Sequence, residues 1–242
     1  MSKRPDDQLA WLTARPFAHR GLHGPGIIEN SMAAFEAAIA AGFGIECDVR
    51  ISSDGQAFLF HDAALARMTG ANGAIETLDS AHIDRLRLAD GKPVPRLSAL
   101  LALCPPDWPL LLEVKADGSR AEPFCEAVVR DLARQQRRAT AIMSFHPGVV
   151  RWFARNRPQT VRGMIVTEQN KGKARARIES TLALWLAKPD FLACDVRDLP
   201  TPLSVRARSQ GVPMLTWTVR SDAMCASAAR HADQIIFERS HD

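Results

Sequence analysis

Two carboxylates two residues apart, Glu46 and Asp48, have the spacing in this chain that points most clearly to chemistry. They lie in the segment GIECDVR, which is bounded by turn residues and predicts a buried strand. Because side chains alternate between the faces of a strand, Glu46 and Asp48 share one face and Cys47 and Val49 share the other. Two buried like charges repel each other, so a cation is expected between them. A divalent ion with oxygen ligands meets that need.

Glu113 and Lys115 repeat this spacing in the apolar segment PLLLEVK. By the same alternation both charged groups face the interior of the fold, where Glu113 adds a third carboxylate to the predicted metal site. The alternative is a buried ion pair between Glu113 and Lys115 with a structural role.

Two histidines, His19 and His61, lie beside these charged groups in the segments FAHRG and AFLFHD. An imidazole titrates near neutral pH, so a pair of them can act as general base and general acid. Arg20 and Lys115 add positive charge that suits a phosphate. Together with a metal ion, these groups would offset the charge of a phosphodiester and favour its hydrolysis. The other histidines are interpreted as structural or solvent-exposed: His23, His82, His146, His231 and His241.

The elements that must position these residues follow from short apolar runs that alternate with amphipathic segments. The predicted strands are 17–21, 44–50, 109–115, 140–145, 161–166, 190–196, 213–219 and 234–239. The predicted helices are 31–41, 120–136, 147–156, 176–187, 202–210 and 222–232. Eight strands separated by helices favour a closed (β/α)8 TIM barrel over an open doubly wound sheet, with residues 1–242 as a single domain. The carboxyl ends of barrel strands meet at one mouth, which would bring the candidate residues together.

The longest connection, residues 51–108, is predicted to insert a small hairpin and short helices after the second strand. Its predicted parts are a turn at Asp54-Gly55, a second arm at 56–60 and helices near 77–88 and 96–103. Long connections of this kind usually lie at the mouth of a barrel, where the active site is formed.

The composition favours a globular protein that acts on a small anionic molecule. Of its 242 residues 46% are hydrophobic, and the net charge of +4 is spread along the chain. Basic clusters at 134–138 and 171–177 lack interleaved aromatic residues, so no nucleic-acid partner is expected. The five scattered cysteines argue against disulfides or a zinc site, and no segment has the length of a signal peptide or a membrane span. We therefore predict a soluble cytoplasmic protein without stable membrane association, and its oligomeric state stays open.

Further short motifs accompany the charged residues along nearly the whole chain. In order they are His19-Arg20-Gly21, Glu29-Asn30-Ser31 with Ala34-Phe35, Glu46-Cys47-Asp48-Val49, Ser53-Asp54-Gly55, His61-Asp62 with Leu65 and Arg67, Ala89-Asp90-Gly91 with Pro95 and Leu97, Glu113-Val114-Lys115, Ser144-Phe145 and Trp217-Thr218-Val219. This series resembles the glycerophosphodiester phosphodiesterases, in particular their compact bacterial cytoplasmic type. Each motif alone is weak evidence, and the order of all of them carries the resemblance.

The resemblance implies a TIM barrel that hydrolyses glycerophosphodiesters to glycerol 3-phosphate and an alcohol, with one divalent cation, Mg²⁺ or Ca²⁺. The roles it carries over are metal ligands at Glu46, Asp48 and Glu113, catalytic histidines at His19 and His61, and phosphate contacts at Arg20 and Lys115. Glu29 would support the metal, the glycerol of the substrate or the fold. Phe145 and Trp217 would line the pocket or belong to the core.

Two positions depart from the pattern of the family that the chain resembles. Arg220 stands where the family usually carries Asn, and Phe237-Glu238 stands where a Thr-Asp or Thr-Asn pair usually ends the last strand. Both positions are expected at the mouth, so the specificity for the alcohol stays open.

Other functions fit parts of the sequence. A lysophospholipid substrate would need a more apolar mouth. A barrel that binds a phosphodiester without turnover is expected to lack one of the two histidines or three carboxylates, and all five are present. A sugar phosphate isomerase would need a glycine-rich turn near the last strands, and residues 230–234 contain no glycine. The sequence also leaves open whether water attacks the phosphorus or the substrate's own hydroxyl does so through a cyclic phosphate.

Overall fold

Eight parallel strands close into a barrel in the computed structural model, which describes residues 6–239 except 117, 119, 136–138, 170–183 and 185. The strands, with one antiparallel addition β3, are β1 (Phe17–Ala18), β2 (Gly44–Ile51), β3 (Ala57–Leu59), β4 (Leu110–Val114), β5 (Thr140–Ser144), β6 (Val161–Val166), β7 (Phe191–Asp195), β8 (Met214–Val219) and β9 (Gln234–Phe237). The barrel closes because β1 pairs in parallel with both β2 and β9. The predicted (β/α)8 fold is therefore confirmed. The bounds of β6 are as predicted, and those of the other barrel strands differ from the prediction by at most three residues at either end.

Helices follow most of the strands. They are α1 (Asp6–Leu9), α2 (Trp11–Ala14), α3 (Met32–Ala40), α4 (Ala66–Thr69), α5 (Ser80–Ile83), α6 (Leu97–Leu103), α7 (Glu122–Leu132), α8 (Pro147–Asn156), α9 (Pro202–Ser209) and α10 (Asp222–His231), with 3-10 turns at Ile75–Thr77 and Val196–Asp198. The helix predicted at 176–187 lies almost wholly outside the described residues. Within the part of the chain that the structure describes, no helix combines the length and apolar character needed to cross a membrane.

Local sequence signals set the ends of α3. The Ser31 hydroxyl accepts a hydrogen bond from the Ala34 amide at 3.2 Å and caps the first turn. Gly42 follows the last turn with a φ of 80°, a left-handed conformation that glycine adopts without steric cost. The sequence therefore fixes both ends of a helix that packs against β2.

The core has two layers, one inside the barrel and one between the barrel and its helices. Leu111, Ala141 and Phe191 belong to the inner cluster. Cys47 and Val49 belong to the outer cluster, and both are fully buried. The alternation predicted for β2 is confirmed, since its apolar side chains face the helices and its carboxylates face the barrel interior.

The insertion after β2 contains the predicted hairpin, with β3 antiparallel to the end of β2. The single helix predicted near 77–88 is wrong. The Asp79 side chain accepts the His82 amide at 2.8 Å and starts the short helix α5, and the chain then reverses so that Arg87 pairs with Pro93. The apolar residues of this segment are spaced as in an amphipathic helix, but they pack instead on a separate small core around Phe58. The helix α4 was not predicted.

Candidate active site

A cavity of about 360 Å³ opens at the carboxyl ends of the barrel strands. It is lined by His19, Arg20, Glu46, His61, Glu113, Lys115, Met143, Phe145, Ile165, Asp195, Arg197, Trp217, Thr218, Arg220, Met224 and Ile236. Eight of the ten residues predicted for the site are among them. The other two, Asp48 and Glu29, lie behind the lining, and Arg20 contacts both of them.

Three buried carboxylates meet beneath this cavity. Glu46 and Asp48 come from β2 and Glu113 comes from β4, where it is the register partner of Asp48. Each residue offers an oxygen atom within 4.8 Å of the others, and all three are at least 94% buried. Parallel pairing of the two strands thus assembles the triad that the spacing of the sequence predicted.

Positive and polar groups hold Asp48 and Glu113 in place. The ammonium of Lys115 lies 2.6 Å from Glu113 Oε1 and 3.1 Å from Asp48 Oδ1. Arg20 Nε lies 3.2 Å from Asp48 Oδ2, to which Asn30 Nδ2 also donates a hydrogen bond at 2.9 Å. Asp48 is thereby compensated, although it is completely buried.

The pKa values of the three carboxyls differ because their partners differ. Burial raises the pKa of Glu46 well above its usual range, and repulsion from Asp48 adds to this. Burial also raises the pKa of Glu113 to about 7, although Lys115 opposes the shift. For Asp48 the effect of burial is outweighed by Lys115 and Arg20, and its pKa is lowered. If all three carboxyls of the triad were ionised, Lys115 and Arg20 would not neutralise their charge.

The residues present fit a divalent cation. Among the described residues no group donates a hydrogen bond to Glu46 Oε1, a fully buried oxygen. A buried carboxylate oxygen without a partner is costly, and carboxylate oxygens are the ligands that hard cations prefer. Glu46, Asp48 and Glu113 are therefore the residues that could hold such an ion.

The two candidate histidines flank the triad, and each has its Nδ1 atom on a carboxylate. His19 Nδ1 lies 2.5 Å from Glu238 Oε1, and its Nε2 lies 3.9 Å from Glu46 Oε2. His61 Nδ1 lies 2.6 Å from Asp62 Oδ1. Burial lowers the pKa of both histidines, with the carboxylates opposing the shift. Neutral imidazoles with a fixed Nδ1 contact are suited to exchange protons through Nε2.

Each of these carboxylates is also held by an arginine. Arg220 approaches Glu238 with Nε at 2.5 Å and Nη2 at 3.0 Å. Arg67 approaches Asp62 in the same way, at 2.5 Å and 3.1 Å. The site therefore contains two similar chains of arginine, carboxylate and histidine.

Glu29 is paired with two arginines. Its Oε1 accepts from Arg20 Nη1 at 2.9 Å and from Arg67 Nη2 at 2.7 Å. Like Asp48, Glu29 does not line the cavity. Glu29 thus contacts the site through Arg20 and connects it to the His61 side through Arg67.

Two aromatic side chains form part of the cavity wall. Phe145 and Trp217 make an edge-to-face contact with ring centroids 5.5 Å apart. Trp217 Nε1 donates to the Ala193 carbonyl at 3.0 Å, which fixes the indole on β7. Phe145 is 42% exposed, so it lines the cavity and is not a core residue.

Several polar contacts of the site were not predicted from the sequence. Asn30, Asp62, Arg67 and Glu238 were noted only as parts of motifs or as a departure, and the structure places each on a candidate residue. His23 was interpreted as structural or exposed, but its Nε2 lies 3.9 Å from Glu238 Oε1. The charge of Glu238 at the end of an apolar strand was the available signal, since a carboxylate at that position faces the mouth.

Residues 19–239 match the model of the Glycerophosphoryl diester phosphodiesterase family. The chain belongs to this family. The match covers every candidate site residue, from His19 to Glu238. The resemblance read from the motifs is thereby confirmed.

A relative in this family is a Mycobacterium tuberculosis protein named "Probable glycerophosphodiester phosphodiesterase 2". The two are 38% identical over 114 residues, which is 47% of this chain and 42% of that protein. The matched region thus spans less than half the length of this curated relative.

Solved structures of the family share the fold. A Silicibacter pomeroyi protein, described as a candidate glycerophosphoryl diester phosphodiesterase, is 25% identical with a TM-score of 0.81, covering 97% of this chain and 94% of that one. An Oleispira antarctica phosphodiesterase, solved in complex with the product sn-glycerol-3-phosphate, is 20% identical with a TM-score of 0.77, covering 94% of both chains. These similarities support the barrel architecture over nearly the whole chain.

Proposed function

We propose that this protein hydrolyses glycerophosphodiesters to glycerol 3-phosphate and an alcohol with the help of one divalent cation. The observation that carries this proposal is the buried triad of carboxylates between His19 and His61 at the mouth of a barrel of this family. The complex of the Oleispira antarctica phosphodiesterase with sn-glycerol-3-phosphate supports the same product here. The intact set of two histidines and three carboxylates favours turnover over simple binding.

Glu46, Asp48 and Glu113 would hold the cation, which we propose to be Mg²⁺ or Ca²⁺. When bound, it would supply positive charge that polarises an oxygen of the phosphate. Three carboxylates need more positive charge than Lys115 provides, since burial keeps the pKa of Glu46 high without a further cation.

Arg20 and Lys115 would contact the phosphate. Both line the cavity, and both are fixed by buried carboxylates, Arg20 by Asp48 and Lys115 by Glu113. Asp48 and Glu113 raise the pKa of Lys115 against the effect of burial, so its ammonium stays charged at neutral pH. Two fixed cations reduce the repulsion between a phosphodiester and an attacking oxygen.

The two histidines would transfer the protons. One imidazole Nε2 takes the proton of the attacking oxygen while a new bond forms to phosphorus. The bond between phosphorus and the alcohol oxygen breaks, and the other histidine, which enters the reaction as an imidazolium, gives its Nε2 proton to that oxygen. Exchange with solvent then restores both histidines. Glu238 and Asp62, on the two Nδ1 atoms, stabilise the charge that an imidazole gains during the reaction.

The alcohol would lie against Phe145 and Trp217, with Arg220 at the rim. We propose a small anionic phosphodiester as the substrate, because the remaining wall combines these aromatic groups with charged ones. We also propose a cytoplasmic location. The five cysteines are free thiols, which suits a reducing compartment.

The test is the release of glycerol 3-phosphate from glycerophosphocholine or glycerophosphoethanolamine with Mg²⁺ or Ca²⁺. His19→Ala and His61→Ala should each lower kcat by about 10²- to 10⁴-fold. His82→Ala is the matched control, because His82 also has its Nδ1 on a carboxylate, that of Asp79, but is exposed and does not line the cavity. Absence of release from any diester, or equal activity of His19→Ala and the wild type, would contradict the proposal.

A further inference from the structure

Glu238 reaches His19 because the barrel closes between its last and first strands. The His19 amide donates to the Phe237 carbonyl at 2.9 Å, and the Glu238 amide donates to the Val219 carbonyl at 3.0 Å. These two backbone bonds set the end of β9 between β1 and β8. The Glu238 side chain then has a defined path to His19 Nδ1, 2.5 Å away.

A fixed partner on Nδ1 decides what Nε2 can do. A neutral imidazole carries one N–H, and a carboxylate next to Nδ1 keeps the proton there. Nε2 is then left as the acceptor, and it faces the carboxylate triad, 3.9 Å from Glu46 Oε2. His19 is 93% buried, so water has little access to replace Glu238 in this role.

Arg220 restricts Glu238 in turn. Its Nε and Nη2 atoms contact the two oxygens of Glu238 in a side-on pair, which fixes the plane of the carboxylate. The Glu238 side chain is 12% exposed whereas that of Arg220 is 53% exposed. Arg220 therefore covers Glu238 from the solvent side, and the two residues form one unit.

A second reading of these residues is a metal site, since His19, His23 and Glu238 offer ligand atoms within 4.8 Å of one another. Two observations weigh against it. The 2.5 Å separation of His19 Nδ1 and Glu238 Oε1 is a hydrogen-bond distance, shorter than the spacing of two ligands around one ion. Arg220 also places a positive charge on the same carboxylate.

We propose that Glu238, held by Arg220, is the positioning residue of His19 and keeps the proton of the neutral imidazole on Nδ1. This inference rests on the proposed function for its kinetic consequence, but the position of the proton can be observed without turnover. Glu238 does not touch the substrate in this proposal and acts through His19.

The first measurement is kinetic. Glu238→Gln keeps the size of the side chain without its charge, and it should lower kcat by about 10²- to 10⁴-fold while KM changes less than about threefold. Glu238→Ala should lower kcat to a similar extent. Arg220→Gln should lower kcat less. Arg220→Gln with Glu238→Ala should have a kcat no lower than Glu238→Ala alone, because in this proposal the effect of Arg220 on kcat, as distinct from any effect on KM at the rim, passes through Glu238.

The matched control is Arg208→Gln. Arg208 also pairs with a carboxylate, that of Asp233 at 3.1 Å, just before β9. Removing this pair should leave kcat within about twofold of the wild type, because exposed ion pairs contribute little to stability. An equal loss of kcat in Arg208→Gln and Glu238→Gln would indicate a general structural effect and overturn the proposal.

Two further readouts do not depend on activity. Nitrogen NMR of the imidazole should show His19 protonated on Nδ1 in the wild type and a mixture of tautomers in Glu238→Gln, and an unchanged His19 signal overturns the proposal. Calorimetric titration with Mg²⁺ or Ca²⁺ should give the same number of bound ions in both proteins, whereas the loss of one ion in the variant would assign Glu238 as a ligand and also overturn it.

The outcomes separate this inference from the proposed function. A wild-type protein that releases no glycerol 3-phosphate contradicts the proposed function, and the tautomer measurement still decides the role of Glu238. An active wild type with unchanged kcat in Glu238→Gln contradicts only the positioning role.

Discussion

Asn30 and Asp48 are joined by two hydrogen bonds that run in opposite directions. Asn30 Nδ2 donates to Asp48 Oδ2 at 2.9 Å, and the Asp48 amide donates to Asn30 Oδ1 at 3.2 Å. Both residues are buried, and Asn30 has a φ of 52°, in the left-handed region that asparagine tolerates. One amide side chain thus fixes both the backbone and the side chain of a candidate metal ligand.

Asn30→Ala should therefore weaken both the fold and the metal site. The variant leaves the Asp48 amide without this acceptor and places alanine at a positive φ, so the free energy of unfolding should fall by about 2–4 kcal/mol. Urea denaturation measures the loss, and calorimetric titration should show weaker binding of Mg²⁺ or Ca²⁺. Asn156→Ala, which removes an exposed side-chain bond to the Trp152 carbonyl, is the control and should change stability by less than about 0.5 kcal/mol.

A divalent cation should raise the melting temperature of the wild type but not of Glu46→Gln. Glu46 is fully buried with one oxygen that accepts no hydrogen bond from the described residues, so its charge needs the ion. Differential scanning fluorimetry with and without a chelator tests this. In the presence of the chelator, Glu46→Gln should be at least as stable as the wild type, because the amide removes a charge that is costly to bury. Equal stabilisation of both proteins by the ion would contradict Glu46 as a ligand.

Phe145→Ala should raise KM for the diester with little effect on stability. The side chain is 42% exposed and contacts Trp217 edge to face, so its loss removes part of the cavity wall and leaves the buried core intact. We expect KM to rise about 2- to 13-fold, because an aromatic contact contributes about 0.5–1.5 kcal/mol. Steady-state kinetics and a urea denaturation curve measure the two effects. An unchanged KM with a marked loss of stability would make Phe145 a structural residue.

Arg50→Met should disturb the segment that carries His61. Arg50 is 4% exposed, and its guanidinium donates to the His61 carbonyl at 2.8 Å and to Glu76 Oε1 at 2.8 Å. Its removal should lower the free energy of unfolding by about 2–3 kcal/mol and lower kcat as well. Arg130→Met is the control, since Arg130 donates an exposed bond to the Gly55 carbonyl and should change neither quantity much. Similar losses in the two variants would argue against a specific role of Arg50.

Asp54→Asn should reduce stability near neutral pH and have less effect in acid. Hydrogen bonds from Ser52 and Ser80 lower the pKa of Asp54 to about 2 in the folded protein, against about 3.9 in an unfolded chain. A carboxyl whose pKa is lower in the folded than in the unfolded protein stabilises the fold at any pH above its unfolded pKa. This stabilisation is lost as the pH falls through the folded pKa. The difference in urea midpoint between wild type and variant should narrow from about pH 6 to about pH 2.5. A difference that stays constant would show that the charge of Asp54 is not responsible.

The sequence predicted the parts of the site that depend on local patterns. The spacing of two residues placed Glu46 with Asp48 and Glu113 with Lys115 on inward faces, and the structure shows both pairs there. Local patterns also predicted the hairpin at Asp54-Gly55. They gave a wrong prediction for residues 77–88. The apolar residues there contact the small core around Phe58, and their spacing is the same as that of an amphipathic helix.

The chain by itself determined the barrel, the triad and the histidines, because strand alternation and the common mouth of a parallel barrel follow from short-range rules. Only the tertiary structure decided which polar groups meet across the closed barrel. Glu238 lies 219 residues after His19, and their contact depends on the pairing of β9 with β1, a long-range event with no local signal. The same holds for the pKa values of Glu46 and Glu113, which arise from burial and from neighbours on other strands. Residue types therefore specified what chemistry is available, and packing specified the partners that tune it.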